Sequence, residues 1–208
     1  MAASPDSAIT RAYPLLNAAA LTDADLAFWT VGELYEAADD HVQRLARVTG
    51  VFAERDAAQT LNENQSEYPT PARHLSMVHL SAANLELRPV SFDELEALDS
   101  SWQTATGTPT RYAMDLAGLA TATLYKKPQA ADEAKVLAFV YHEYPAAIAQ
   151  GGATLRAPQF LEDFMTLAAV MEARAKDTDG AMPEIVRPVT QHLALYEAAL
   201  SGYFGGAQ

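Results

Sequence analysis

The sequence predicts an α+β fold, mainly α: a bundle of long helices with a small antiparallel β region inserted between the first helix and the C-terminal helices. Two stretches with apolar residues at helical spacing, Val31 to Leu45 and the chain beyond Pro128, supply the helices. Between them, short alternating runs bounded by Pro, Gly and Asn read as strands. The strands are clustered rather than alternating with helices, which fits α+β better than a parallel α/β fold. At 208 residues the chain reads as one domain, 1–208, large enough to bury a core without staples.

The first long helix is expected over 22–50. Thr22-Asp23-Ala24-Asp25 places a cap before Val31, Leu34, Tyr35, Ala38, Val42 and Leu45, and Gly50 is the stop. Leu26, Phe28 and Trp29 widen its apolar face, which suits core packing first and a subunit contact second. Val51 to Glu67 contains a polar loop, Asn62-Glu63-Asn64-Gln65-Ser66. The β-rich insertion, 68–128, starts at Tyr68-Pro69-Thr70-Pro71, where the prolines hold the chain extended. His74 to Leu80 and Asn84 to Val90 read as paired strands with Val78, Leu80, Leu85 and Leu87 inward. Ser91-Phe92-Asp93-Glu94 is a capping-box match that opens a short helix through Leu98. Two more strands, Tyr112 to Leu116 and Ala120 to Tyr125, follow the turn at Gly107 to Thr110.

The C-terminal helices are expected over 131–201. Ala131 to Ile148 reads as a helix carrying Leu137, Phe139, Val140, Tyr141 and Tyr144, with Pro145 kinking or ending it. Pro158 suits the first turn of a helix reaching about Lys176, and Pro183 opens the last. The glycines of Gly202 to Gln208 make that segment a flexible tail bearing Tyr203 and Phe204, which either dock on a partner or pack back on the last helix. Trp29, Leu34 and Tyr35 are candidate anchors of the first helix, and Trp102 and Tyr112 of the β region.

The chain has no cysteine, which excludes disulfides, thiolate nucleophiles and Cys-type metal sites. No apolar run approaches the ~20 residues of a membrane helix, and the first residues do not read as a signal peptide. A formal charge of −13 opposes adhesion to phosphates. His41, His74, His79, His142 and His192 are scattered and read as surface or satisfied histidines rather than ligands. Asp39-Asp40-His41 diverge around a helix and do not suit one ion. The acids Asp93, Glu94, Glu96 and Asp99 read as a cap and a solvated face rather than an acid–base pair. Gly151-Gly152 lacks the lysine and hydroxyl of a phosphate loop, and no Gly-x-Ser-x-Gly elbow occurs. The expectation is therefore no catalytic residue, no metal and no cofactor.

Several pieces recur in a recognisable order. They are Trp29-x-x-x-Glu33-Leu34-Tyr35, then Tyr68-Pro69, then Ser91-Phe92-Asp93-Glu94-Leu95 with Trp102. Gly107-Thr108-Pro109, Leu124-Tyr125-Lys126-Lys127-Pro128, Leu137-x-x-x-Tyr141-x-x-x-Pro145 and Pro158-x-Phe160 complete the series. No single piece is specific; their order and spacing are. From about Leu21 to Leu200 the chain resembles the head–tail connector, or adaptor, proteins that join the portal of tailed bacteriophages to the tail. One departure concerns the final helix, which carries Arg187, His192 and few acids where such families often have more.

The resemblance implies a structural virion protein without enzymatic activity. It implies a ring of about twelve copies beneath the portal protein, with two complementary faces per subunit. The ring would extend the channel for genomic double-stranded DNA without binding it specifically, and offer a platform to a tail or nozzle protein. It further implies assembly in the host cytoplasm, a place at the head–tail interface, and no membrane partner. Terminal segments in such adaptors order on assembly by reaching into portal clefts, which makes Tyr203 and Phe204 the candidate docking residues. Two other readings remain at this point: another neck or tail-completion protein of the virion, or an acidic helical bacterial enzyme or accessory factor.

Overall fold

A computed structural model describes residues 2–16, 29–114, 121–152, 154–155 and 160–177, together with 191, 194–195 and 198–199. The chain divides into two compact units, one built from Met1–Phe52 and Tyr144–Gln208, the other from Ala53–Glu143.

The first unit is helical. Helix α1, Pro5–Leu15, starts on Ser4, whose hydroxyl accepts from the Ser7 N–H at 3.3 Å, with Pro5 in the first turn. Helix α2, Val31–Thr49, starts on a complete Thr30/Glu33 capping box. It ends at Gly50, whose φ of 59° lets its N–H reach the Ala46 carbonyl at 3.0 Å. The helix expected over 22–50 is shorter at its start: Trp29 is not helical and the extended Thr30 caps the helix, so it begins at Val31, while 22–28 lie outside the described residues. Helix α4, Leu161–Asp177, packs against both. Ile9, Leu34, Leu45 and Phe164 are fully buried in this core. One polar junction joins chain ends far apart in sequence. Buried Glu162 accepts from the Ser4 N–H at 2.8 Å, the Ser7 hydroxyl at 3.2 Å and the Arg11 guanidinium at 2.8 Å.

The second unit holds seven strands. They are β1 (Ala53–Thr60), β2 (Glu67–Pro69), β3 (His74–Ala82), β4 (Leu85–Pro89), β5 (Arg111–Met114), β6 (Thr121–Tyr125) and β7 (Val136–Glu143), with the short helix α3 (Phe92–Leu98) after β4. Their order is β1-β7-β3-β4-β5-β6-β2, and the β4–β5 pair is parallel while the others are antiparallel. Leu80, Leu87, Leu124, Leu137 and Phe139 are buried on one face of this sheet.

The expected long-helix bundle with a small antiparallel insertion is therefore corrected. The chain carries a seven-stranded mixed sheet that forms a half-barrel, beside four helices named here. Two segments account for the difference. Strand β1 occupies Ala53–Thr60, to which the sequence assigns no element, ahead of the polar loop at Asn62–Ser66; Ala131 to Ile148, expected as helix, contains strand β7. β7 lies between β1 and β3 and has four residues buried, three of them consecutive, so it reads as a near-continuous apolar run. In that run Leu137, Val140, Tyr141 and Tyr144 also match a helical spacing.

A bulge explains a second correction. Along β3, Met77 faces Tyr141 and His79 faces Val140, so Val78 is the extra residue. The slip puts Met77 against the core, and Val78, expected inward, is 47% exposed. Leu85, also expected inward, sits beside the hairpin turn and is 63% exposed. That turn is Ala83-Asn84, with φ of 52° and 65°, the conformation of a two-residue type I′ loop.

Candidate functional site

Two surfaces stand out, one on each unit. The helical unit carries a cleft of about 310 Å³ between α2 and α4. Helical spacing puts Glu33, Glu36, Ala37 and Asp40 on one face of α2, and Glu172, Ala173 and Lys176 line the cleft from α4. The Thr30 hydroxyl accepts from the Glu33 N–H at 3.2 Å, and Glu33 Oε2 accepts from the Thr30 N–H at 2.7 Å. Glu33 Oε1 accepts from Lys176 Nζ. The Lys176 hydrogen bond, helped by Thr30, holds the Glu33 carboxyl below its ordinary pKa. His41 Nε2 lies 3.3 Å from Glu172 Oε1, and its ring meets Phe164 edge-on at 6.3 Å. Half-buried Trp29 completes the lining, and its indole N–H has no acceptor among the described residues. The cleft is thus apolar at its base and acidic at its rim, with Glu36, Asp40 and Glu172 exposed.

The β unit presents cations on the opposite sheet face from its core. The register pairs Arg88 with Arg111 and Arg111 with Tyr125, so all three share one face. The Arg111 guanidinium lies 6.0 Å from the centre of the Tyr125 ring. Lys126 and Lys127 follow directly. Acids stand among them: exposed Glu86 shares the outer face of β4 with Arg88, and Asp99 accepts from the Tyr125 hydroxyl at 3.3 Å. Bonds from the Ser101 hydroxyl and N–H hold the Asp99 carboxyl below its ordinary pKa. Neither surface assembles a nucleophile with a base, and among the described residues no group of three or more metal-ligating side chains is placed to hold an ion.

A comparison with protein families gives the broader context of these surfaces. The profile of the SU10 adaptor protein family matches residues 9–208. The chain belongs to the SU10 adaptor protein family. It is accordingly a structural adaptor of a bacteriophage, a virion component that contacts other virion components. No curated protein matches the chain.

In this SU10 adaptor, Leu34 and Tyr35 are buried in the helical core, and Trp29 is half-buried against it. The Tyr35 hydroxyl donates to Asp6 Oδ1 at 2.6 Å, and burial followed by Asp6 pushes its pKa far up. Tyr112 is buried in the sheet core, where burial raises its pKa. Trp102 is half-buried, with its ring 5.8 Å from Phe92 and its indole N–H donating to Glu96 at 2.8 Å. Tyr203, Phe204 and the rest of Gly202 to Gln208 lie outside the described residues, as does His192. His74 is buried, 5.9 Å from the Tyr141 ring.

The sequence reading missed α1, although Ser4-Pro5-Asp6-Ser7 is a helix-start signal. It also missed the Arg88, Arg111, Lys126 and Lys127 surface, because residues from three strands meet there only once the register is known. Glu96 and Asp99, read as a solvated face, each hold an aromatic side chain of the β unit.

Proposed function

We propose that this SU10 adaptor forms a ring of about twelve copies beneath the portal protein, prolongs the DNA channel, and joins head to tail by presenting a platform to a tail or nozzle protein. The observation that carries this reading is the family match across residues 9–208. The formal charge of −13 per copy supports a lumen past which genomic DNA slides without specific binding. The reading includes no catalytic centre, cofactor or membrane partner, and places the protein at the head–tail interface after assembly in the host cytoplasm.

Within this reading, Trp29, Leu34 and Tyr35 anchor the helical unit and Trp102 and Tyr112 the β unit, so that each presents a fixed surface to its neighbours. The segment Gly202 to Gln208 docks on the portal, with Tyr203 and Phe204 entering apolar pockets whose burial offsets the ordering cost. Deleting 202–208 tests this. The shortened protein should keep its thermal midpoint and lose affinity for purified portal at fixed salt. Equal portal affinity with and without the segment would remove the docking role.

A further inference from the structure

We infer that the open edge of β3, over residues 74–79, is completed by an extended segment of a partner virion protein, which adds a strand in the groove between β3 and the β4–β5 pair. The inference goes beyond the ring reading and does not depend on it. It rests on the family membership, which makes the chain a contact of other virion components.

The ladder between β3 and β4 is cut short by Pro89. Leu85 and Leu87 pair with Ala82 and Leu80 across the hairpin. Arg88 and Val90 bond on the other side, their N–H groups donating to the Thr110 and Tyr112 carbonyls at 3.1 and 2.9 Å. Backbone groups alternate in direction along a strand, so residue 89 is the next to face β3, and proline has no N–H to donate there. β4 therefore parts from β3 after Leu87 and continues along β5. Residues 74–79 pair with β7 on one side, and among the described residues no strand pairs with them on the other. Between the parted strands lies a groove of about 720 Å³, with Leu75, Ser76 and Met77 on one wall and Val90, Tyr112 and Met114 on the other.

The groove selects a polypeptide strand. An open edge offers a row of backbone N–H and C=O groups, which a second backbone satisfies in register and a nucleic acid duplex does not. Glu94 is the one carboxylate among the described residues of the lining, and it already accepts from the Ser91 N–H at 2.8 Å. In a chain of 27 acids the groove is thus a neutral strip, matched by an uncharged segment. Met77 and Met114, packed against the sheet core, are adaptable walls for the side chains that alternate inward from an added strand. A second copy is the competing occupant, but each of its seven strands already lies within its own sheet.

Hydrogen exchange of the full chain, read by mass spectrometry, tests this with three purified probes: the portal protein, the tail protein that follows it, and double-stranded DNA. With portal or tail protein, the open-edge amides in the peptide spanning 75–79 should slow by at least about tenfold, because an added strand gives them acceptors. Ser76 is exposed, so Ser76→Lys should keep the thermal midpoint of the free chain, while a lysine on the edge hinders strand addition. That variant should lose the slowing and bind the same protein at least about tenfold more weakly. Val78→Lys, at the exposed bulge, replaces it if the midpoint falls.

A chain that binds neither protein, or that binds them with 75–79 exchanging as in the free chain, would overturn the inference. Slowing that persists in full in the lysine variant would overturn it too. Slowing caused by DNA alone, or by raising the concentration of the chain alone, would give the edge to nucleic acid or to a second copy instead. A ring on the portal whose 75–79 amides stay fast with both proteins would leave the ring reading standing and remove this inference alone.

Discussion

The two units bury cores of similar character by opposite routes through the sequence. The β unit is one contiguous stretch, Ala53–Glu143, whose strands are joined mostly by short turns such as Ala83-Asn84. The helical unit is assembled from both ends of the chain. Ala3 bridges to Leu155, Ser4 to Glu162, and the Thr166 hydroxyl to the Ala8 carbonyl. One core therefore closes through local turns and a sheet register, the other through polar contacts between distant segments. Long loop closure is costly before its contacts form, so the helical unit depends on a few residues that fasten its halves.

The largest expected effect separates the two cores. Phe139 is fully buried in the β core and Phe164 in the helical core, so Phe139→Ala and Phe164→Ala should each cost about 3–5 kcal/mol. Amide hydrogen exchange should show Phe139→Ala loosening β1, β3 and β7 first, and Phe164→Ala loosening α1, α2 and α4 first. Equal loosening everywhere in both variants would merge the two cores into one.

A smaller effect tests the fastening of the chain ends. Glu162→Ala removes the acceptor shared by the Ser4 N–H, the Ser7 hydroxyl and Arg11. Because Arg11 stays partly in water, the expected loss is about 1–3 kcal/mol by urea unfolding. A loss under about 0.5 kcal/mol would make the junction incidental.

These contrasts explain what was legible. The Ser91 capping box, the β3–β4 hairpin and the β5–β6 strands follow from signals a few residues long, and the sequence shows them. β1 was hidden because Ala53-Glu54-Arg55-Asp56-Ala57-Ala58 has a composition poor in strand formers; it is a strand because β7 pairs with it. β7 was hidden for the converse reason, since its consecutive residues Leu137, Ala138 and Phe139 are buried on both faces, and such a strand loses the alternation that distinguishes it from a helix. The bulge at Val78 reversed the inward set of half a strand, and no local residue announces it. Of the two candidate surfaces, the acidic face of α2 follows from helical spacing, whereas the basic face needs the pairing of β4, β5 and β6.

Acid should weaken the β unit through Asp132. Its buried carboxylate accepts from Lys135 at 2.8 Å and from Thr108 at 3.1 Å, and the Lys135 bond chiefly holds its pKa below the ordinary value. A depressed folded pKa contributes stability that is present above the unfolded value, about 3.9, and is lost as pH falls through the folded one. The midpoint gap between the wild type and Asp132→Asn should be widest near neutrality and close as pH falls through the lowered folded pKa. A gap that stays constant with pH would assign the effect to shape rather than charge.

The smallest expected effect has the opposite sign. Ala83 occupies a left-handed conformation that disfavours any side chain with a Cβ, so Ala83→Gly should stabilise the hairpin by about 0.5–1 kcal/mol. A raised thermal midpoint checks it, and a lowered one would mean that glycine's greater freedom in the unfolded chain outweighs the relief of strain.

The central claim is the proposal that this SU10 adaptor forms a ring on the portal. Native mass spectrometry of the full chain titrated with purified portal tests it most directly. The account predicts a closed ring of about twelve copies per portal. A chain that stays monomeric at every portal concentration, or that binds portal as isolated single copies, would contradict it.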